Sequence, residues 1–169
     1  GWSGTMGIHR IACDRRHPDH ETYILEEIVM ERFQGIPAQY EQLVNEAFEA
    51  AKNAYAPYSN FPVGACLICE DGRKFWGCNV ENASYPHGIC GERNAIFSAY
   101  AYGYRAKDIK AIAIVCNSPN VGTSCGLCRQ VMYECLDHKI PVVFSNGKET
   151  MVTNMEELLP WGFGPEDLV

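Results

Sequence analysis

Cys90-Gly-Glu-Arg93 is followed, 35 positions after Cys90, by Cys125-Gly-Leu-Cys128. Three cysteines with this spacing offer three thiolates to one metal ion, and Glu92 sets a carboxylate beside them. A structural Zn²⁺ site closes its tetrahedron with a fourth side chain, whereas a catalytic site keeps one position open for water. Glu92 lies two residues after Cys90, so on the first turn of a helix its carboxylate stands near the ion without ligating it. That is the place for a general acid/base that takes a proton from water and returns it to a substrate.

Three thiolates on one Zn²⁺ sum to a negative site, which opposes the formation of a nucleophile there unless a cation offsets it. Arg93 and Arg129 each stand one position after Glu92 or Cys128, close enough in sequence to hydrogen-bond the sulfurs. Two other readings use the same cysteines. His87, in His87-Gly-Ile-Cys90, would close a purely structural Cys₃His zinc site. Alternatively, Cys125 and Cys128 would form a Cys-X-X-Cys redox pair that holds no metal.

The elements that must position these groups follow from periodicity. Tyr40, Leu43, Val44, Ala47, Phe48, Ala51 and Tyr55 recur at helical spacing before Pro57. Phe61 to Cys69 and Lys74 to Val80 are apolar runs joined by Glu70-Asp71-Gly72-Arg73, a hairpin signal. Gly91 to Tyr102 reads as a helix closed by Gly103, Ile109 to Cys116 as a buried strand, and Gly126 to Leu136 as a further helix. Pro141 to Ser145 is another strand, Asn146-Gly147 a turn, Thr150 to Thr153 a short strand, and Met155 to Leu159 a helix stopped by Pro160. This order implies a sheet of about five strands sandwiched by helices, an α/β layer architecture. Cys90 and Cys125 then fall at helix N-termini, where backbone N–H groups and the helix dipole favour the thiolate.

Composition narrows the class. The chain has 169 residues, 47% of them hydrophobic and 21% charged, which suits a single globular core. A formal charge of -7 and the lack of a Lys/Arg cluster argue against binding nucleic acid through its phosphates. No apolar run approaches the ~20 residues of a membrane helix, so no membrane partner is expected. Nine cysteines, an odd number, with no apolar signal segment before them, fit reduced thiols in a cytoplasmic protein. Cys66, Cys69, Cys78 and Cys116 sit in strand-like runs and read as small buried hydrophobes. Residues 1–29 lack periodicity and read as an N-terminal extension, with Gly1 to Thr5 of vector type and Met6 or Met30 as the natural start. Residues 30–169 read as one domain.

The metal motif with Arg129-Gln130 appended resembles the signature of zinc-dependent deaminases. With Cys as first ligand, and with Tyr58-Ser-Asn-Phe-Pro-Val-Gly-Ala65, Asn79-Val-Glu-Asn-Ala-Ser-Tyr85 and Leu158-Leu-Pro-Trp-Gly-Phe-Gly-Pro-Glu-Asp-Leu168, the chain is similar from about Tyr40 to Leu168 to the small-subunit, homotetrameric nucleoside cytidine deaminases. The resemblance implies a three-layer α/β/α sandwich around a mixed sheet of about five strands. It implies hydrolytic deamination of cytidine and 2'-deoxycytidine, in pyrimidine salvage, with one Zn²⁺ per subunit on Cys90, Cys125 and Cys128 and Glu92 as acid/base. Asn79 and Glu81 would hold the ribose, Phe61 would pack on the base, and Phe163 would reach into a neighbouring subunit's site. Tyr85 would support subunit contacts or simply be buried. Two positions depart from the family pattern. Ser124 stands where Pro is usual, and its hydroxyl is a candidate helix cap. Gly91 stands where Ala is common, with little expected effect beyond a looser helix start.

Overall fold

Alternation along the strands decides the layers. In the computed structural model, which describes residues 30–168, Cys66, Ala113 and Val143 face one side of a sheet, while Ala65, Leu67, Ile112, Ile114 and Phe144 face the other. Helix α1 (Glu41–Ala51) covers the first side with Leu43, Val44 and Ala47. Helices α2 (Gly91–Ala101), α3 (Gly126–Cys135) and α4 (Met155–Leu158) cover the second with Ile96, Met132 and Met155 among others. Each fully buried side chain of this size contributes about 1.5–3 kcal/mol of apolar burial. The expected α/β/α sandwich is the observed one.

The strands are β1 (Glu31–Gln34), β2 (Val63–Cys69), β3 (Lys74–Cys78), β4 (Ile109–Cys116), β5 (Val142–Ser145) and β6 (Glu149–Thr153). They form one mixed sheet in the order β1-β6-β5-β4-β2-β3. Only β4 and β5 run parallel, with α3 in the connection between them. Both predicted turns are present: Gly72 and Gly147 take φ of 85° and 84°, and Asp71 and Asn146 accept backbone N–H bonds within them.

The sheet has six strands where the sequence predicts about five. The added strand, β1, lies at the edge against β6 and half-buries only Phe33, so no hydrophobic alternation announces it. Its place is fixed by backbone pairing and by Thr150, whose hydroxyl donates to the Gly35 carbonyl at 2.7 Å. The predicted first helix also stops earlier, at Ala51. Tyr55 instead bridges Val80, with Tyr55 N–H donating to Asn79 O at 3.0 Å and Glu81 N–H to Tyr55 O at 2.8 Å. The extension assigned to residues 1–29 lies outside the described residues.

Two glycines let helices approach the sheet at backbone distance. A Cβ on Gly64 would lie 2.0 Å from Ala47 O of α1, and one on Gly77 would lie 2.3 Å from Ala95 N and Gly91 O of α2. The second approach brings the α2 N-terminus down onto β3. Gly91 itself packs there, because a Cβ on it would sit 3.2 Å from Val63 O. That is a tighter environment than a merely loosened helix start.

Candidate active site

Cys90 and Cys125 are the N-cap residues of α2 and α3, with extended ψ values of 155° and 166°. Each carbonyl already accepts its helix's first bond, from Asn94 N–H and Arg129 N–H, both at 3.0 Å. Because both helices lie on one face of the sheet, their N-termini converge. The sulfurs of Cys90, Cys125 and Cys128 all lie within 4.8 Å of one another, the only such group of ligating atoms among the described residues. Three sulfurs at about 2.3 Å from one zinc ion would lie about 3.8 Å apart. The donor set and its spread therefore fit a single Zn²⁺.

The electrostatics of the cluster favour ionised sulfur. The Cys128 thiol beside it and the Arg93 guanidinium together outweigh burial and bring the Cys90 thiol down to about 6. Cys128 is pushed up correspondingly by the neighbouring Cys90 sulfur and by burial. The Arg93 Nη2 stands 3.7 Å from Cys90 Sγ. Burial works against its charge, yet the two sulfurs hold its pKa above the ordinary value. Arg93 Nε is buried without a partner, so the side chain is held there by the sulfurs.

Arg129 does not share this role. Its Nε donates to Ser124 O at 2.9 Å, Nη1 to Leu158 O at 3.0 Å and Nη2 to Thr123 Oγ1 at 3.0 Å, which corrects the expectation that it bonds sulfur. Position i+1 from a ligand at the start of a helix turns a long side chain onto the flanking loop instead. Ser124 likewise does not cap α3: its hydroxyl is buried with no partner, and Cys125 is the N-cap. His87 is exposed, with Nδ1 2.9 Å from Ser84 Oγ, and is not a member of the sulfur cluster, so no closed Cys₃His site forms.

Glu92 is only 3% exposed, in the first turn of α2, near enough to raise the pKa of both Cys90 and Cys128 through its charge. It lines a cleft of about 380 Å³ together with Cys90, Cys125, Phe61 and Asn79. A second, shallower cavity of about 490 Å³ shares Ser59, Asn79 and Cys90 and extends past Glu81, Tyr85 and Leu127.

The mouth of the cleft is built by hydrogen bonds the sequence does not advertise. Asn79 Oδ1 accepts from Val63 N–H at 2.8 Å and Nδ2 donates to Phe61 O at 2.9 Å. Glu81 accepts from the N–H groups of Tyr58 and Ser59, at 2.9 and 3.2 Å, and from the Ser59 hydroxyl. These bonds, the Ser59 hydroxyl foremost, hold the Glu81 carboxyl below the usual range. Asn79 is thus bonded to Phe61 directly and Glu81 through Ser59, whose hydroxyl oxygen accepts from Phe61 N–H at 3.1 Å, and each polar side chain retains acceptor or donor capacity for a ligand. Ser59 was not singled out from the sequence; its only signal is its place in the Tyr58-Ser-Asn-Phe segment. Phe163 stands apart from the cleft wall, 55% exposed, with its carbonyl accepting from Gln130 Nε2 at 2.8 Å. Tyr85 is 73% exposed and not buried within this chain.

Known proteins are similar to this chain over most of its length. The model of the cytidine and deoxycytidylate deaminase zinc-binding region matches residues 37–144. A cytidine deaminase of Sporosarcina psychrophila is 43% identical over 129 residues, which is 76% of this chain and 93% of the relative. One from Halalkalibacterium halodurans is 42% identical, over 76% of this chain and 96% of its own length. The 1.6 Å crystal structure of cytidine deaminase from Burkholderia pseudomallei superposes with a TM-score of 0.71 at 47% identity, covering 73% of this chain and 98% of that one. On the sulfur cluster, the sheet and these likenesses together, the chain belongs to the family of zinc-binding cytidine and deoxycytidylate deaminases.

Proposed function

We propose that this chain catalyses the hydrolytic deamination of cytidine and 2'-deoxycytidine to uridine and 2'-deoxyuridine, with release of ammonia, as a step of pyrimidine salvage. The observation that carries the reading is Glu92, a carboxylate buried in a ligand-sized cleft beside a three-thiol cluster. Cys90, Cys125 and Cys128 hold Zn²⁺, which supplies the Lewis acidity that makes water nucleophilic at neutral pH. A Glu92 carboxylate oxygen takes a proton from the attacking water and delivers it to N3 of the pyrimidine as C4 is attacked. It then carries the second proton to the departing amine, so that water and cytidine become uridine and ammonia. Arg93 holds the sulfurs and spreads their negative charge. Asn79 and Glu81 receive the ribose hydroxyls with their remaining capacity, and Phe61 packs on the base.

The substrate class follows from charge. Among the described residues the only cationic side chain lining either cavity is Arg93, which is engaged with sulfur, so a 5'-phosphate would meet no free cation from them. An uncharged nucleoside fits and a nucleotide does not. The functional unit is a homotetramer of domains spanning 30–169, in the cytoplasm, with Phe163 entering a neighbour's cleft. Its support is the exposure of Phe163, Trp161, Tyr85 and Leu127 on this subunit. No helix among the described residues is long and apolar enough to cross a membrane.

An absorbance assay on cytidine, deoxycytidine, adenosine and cytidine monophosphate, with and without a chelator, tests the reading. Only the first two should react, and only with zinc present. Turnover of the monophosphate as fast as the nucleoside would exclude the substrate assignment.

A further inference from the structure

The cleft that Glu92 lines also contains a fitted pair, Cys116 and Gly122. Cys116 is the last residue of β4, 4% exposed, and both residues line the cavity that holds Glu92. A Cβ on Gly122 would lie 3.0 Å from the Cys116 sulfur, so the sulfur fills the space that any side chain at 122 would take. Gly122 has no left-handed φ, which leaves packing against that sulfur as the constraint on the position.

The two sides of the cleft come from different elements. Cys90 and Glu92 belong to α2, whereas Cys116, Gly122 and Cys125 belong to β4 and the loop that runs from it into α3. In a pyrimidine, C4 is flanked by N3 on one side and C5 on the other. With C4 at the sulfur cluster and N3 turned to Glu92, C5 is turned away from Glu92 toward lining supplied by other elements, to which β4 and the loop after it contribute Cys116 and Gly122. That edge of the base has no donor or acceptor, and a thiol beside a glycine is a correspondingly apolar surface.

We propose that the Cys116–Gly122 pair sets the depth of the cleft at C5 and so decides which 5-substituted cytidines the enzyme accepts. The inference rests on the deaminase reading above. Removing the sulfur would open room for a methyl group beside C5, and a methyl-sized change in an apolar pocket alters discrimination by about tenfold or more.

The test compares kcat/KM for 5-methyl-2'-deoxycytidine and 2'-deoxycytidine in the zinc-loaded full chain. Cys116→Ala should raise the ratio of methylated to unmethylated substrate about tenfold. Adding Gly122→Ala to Cys116→Ala should return the ratio toward that of the parent, since the new Cβ occupies the vacated sulfur volume. Cys116→Val, which adds a branch, should lower the ratio and supplies the reading if the alanine variant folds poorly. A ratio that stays constant across these variants, with deoxycytidine still turned over, overturns this inference alone. A parent chain that does not turn over deoxycytidine overturns the deaminase reading and this inference with it.

Discussion

Arg93 donates from Nη2 to the sulfur of Cys90 at 3.7 Å, from the same helix turn that carries Glu92. The start of α2 therefore supplies a ligand, the carboxylate proposed as the proton carrier, and a cation beside the ligand sulfur. Replacing Arg93 by Ala should weaken zinc retention by about 10–100-fold in competition with a chelator, the usual effect of removing a partner of a metal ligand. Arg93→Lys should recover only part of it, because a single ammonium lacks the planar fork.

Glu92→Ala should leave zinc content and the unfolding midpoint close to the parent's, since no hydrogen bond to another side chain of the described residues is broken. Turnover should fall by about 10²–10⁴-fold, the range for loss of a general acid/base. Metal analysis and steady-state kinetics on one preparation check both halves, and near-normal turnover would sink the assigned role.

Asn79→Ala strands Val63 N–H and Phe61 O, the two backbone groups that its amide now joins. Stability should drop by about 1–3 kcal/mol in urea unfolding. KM should rise more than kcat falls, because the Phe61 segment loses its tether while the sulfur cluster stays in place.

The Glu81 carboxyl is held below its unfolded pKa of about 4.3, first by the Ser59 hydroxyl and then by the Tyr58 and Ser59 N–H groups. A depressed carboxyl contributes stability that is full above the unfolded pKa and is lost as pH falls through the folded one. Glu81→Gln should therefore be less stable than the parent at pH 7, and the gap should close below about pH 4. A gap that persists unchanged at low pH would remove the charge from the explanation.

Gly77→Ala would place a Cβ 2.3 Å from backbone atoms of Ala95 and Gly91. Overpacking of this kind costs about 3 kcal/mol or more, because backbone and not a flexible side chain must move. The variant should melt lower by on the order of 10 °C. Surviving folded protein should bind zinc more weakly, since α2 carries Cys90.

Most of the sheet was legible because buried strands such as Ile109–Cys116 and amphipathic α1 carry their burial in their periodicity. β1 was not, since an edge strand with one half-buried residue leaves no periodic trace. Cys90, Cys125 and Cys128 could be grouped from spacing, because a Cys-x-x-Cys pair at one helix start and a Cys at another meet at one ion when the two helices converge. Arg129 shows the limit: adjacency to a ligand said nothing of its direction, and three oxygen acceptors, two in the loop before α3 and one at the end of α4, took its guanidinium.

The sequence by itself determined the ligand types, the carboxylate two residues from a ligand, the order of elements and the family resemblance, since all of these are properties of residue identity and local spacing. Only the tertiary structure decided which groups meet. It placed Cys116 against Gly122, joined Asn79 to the backbone of Phe61 and Val63, and tied Glu81 to Ser59. Such contacts between segments distant in the chain depend on strand register and helix approach, which packing of the whole core fixes and no local pattern records.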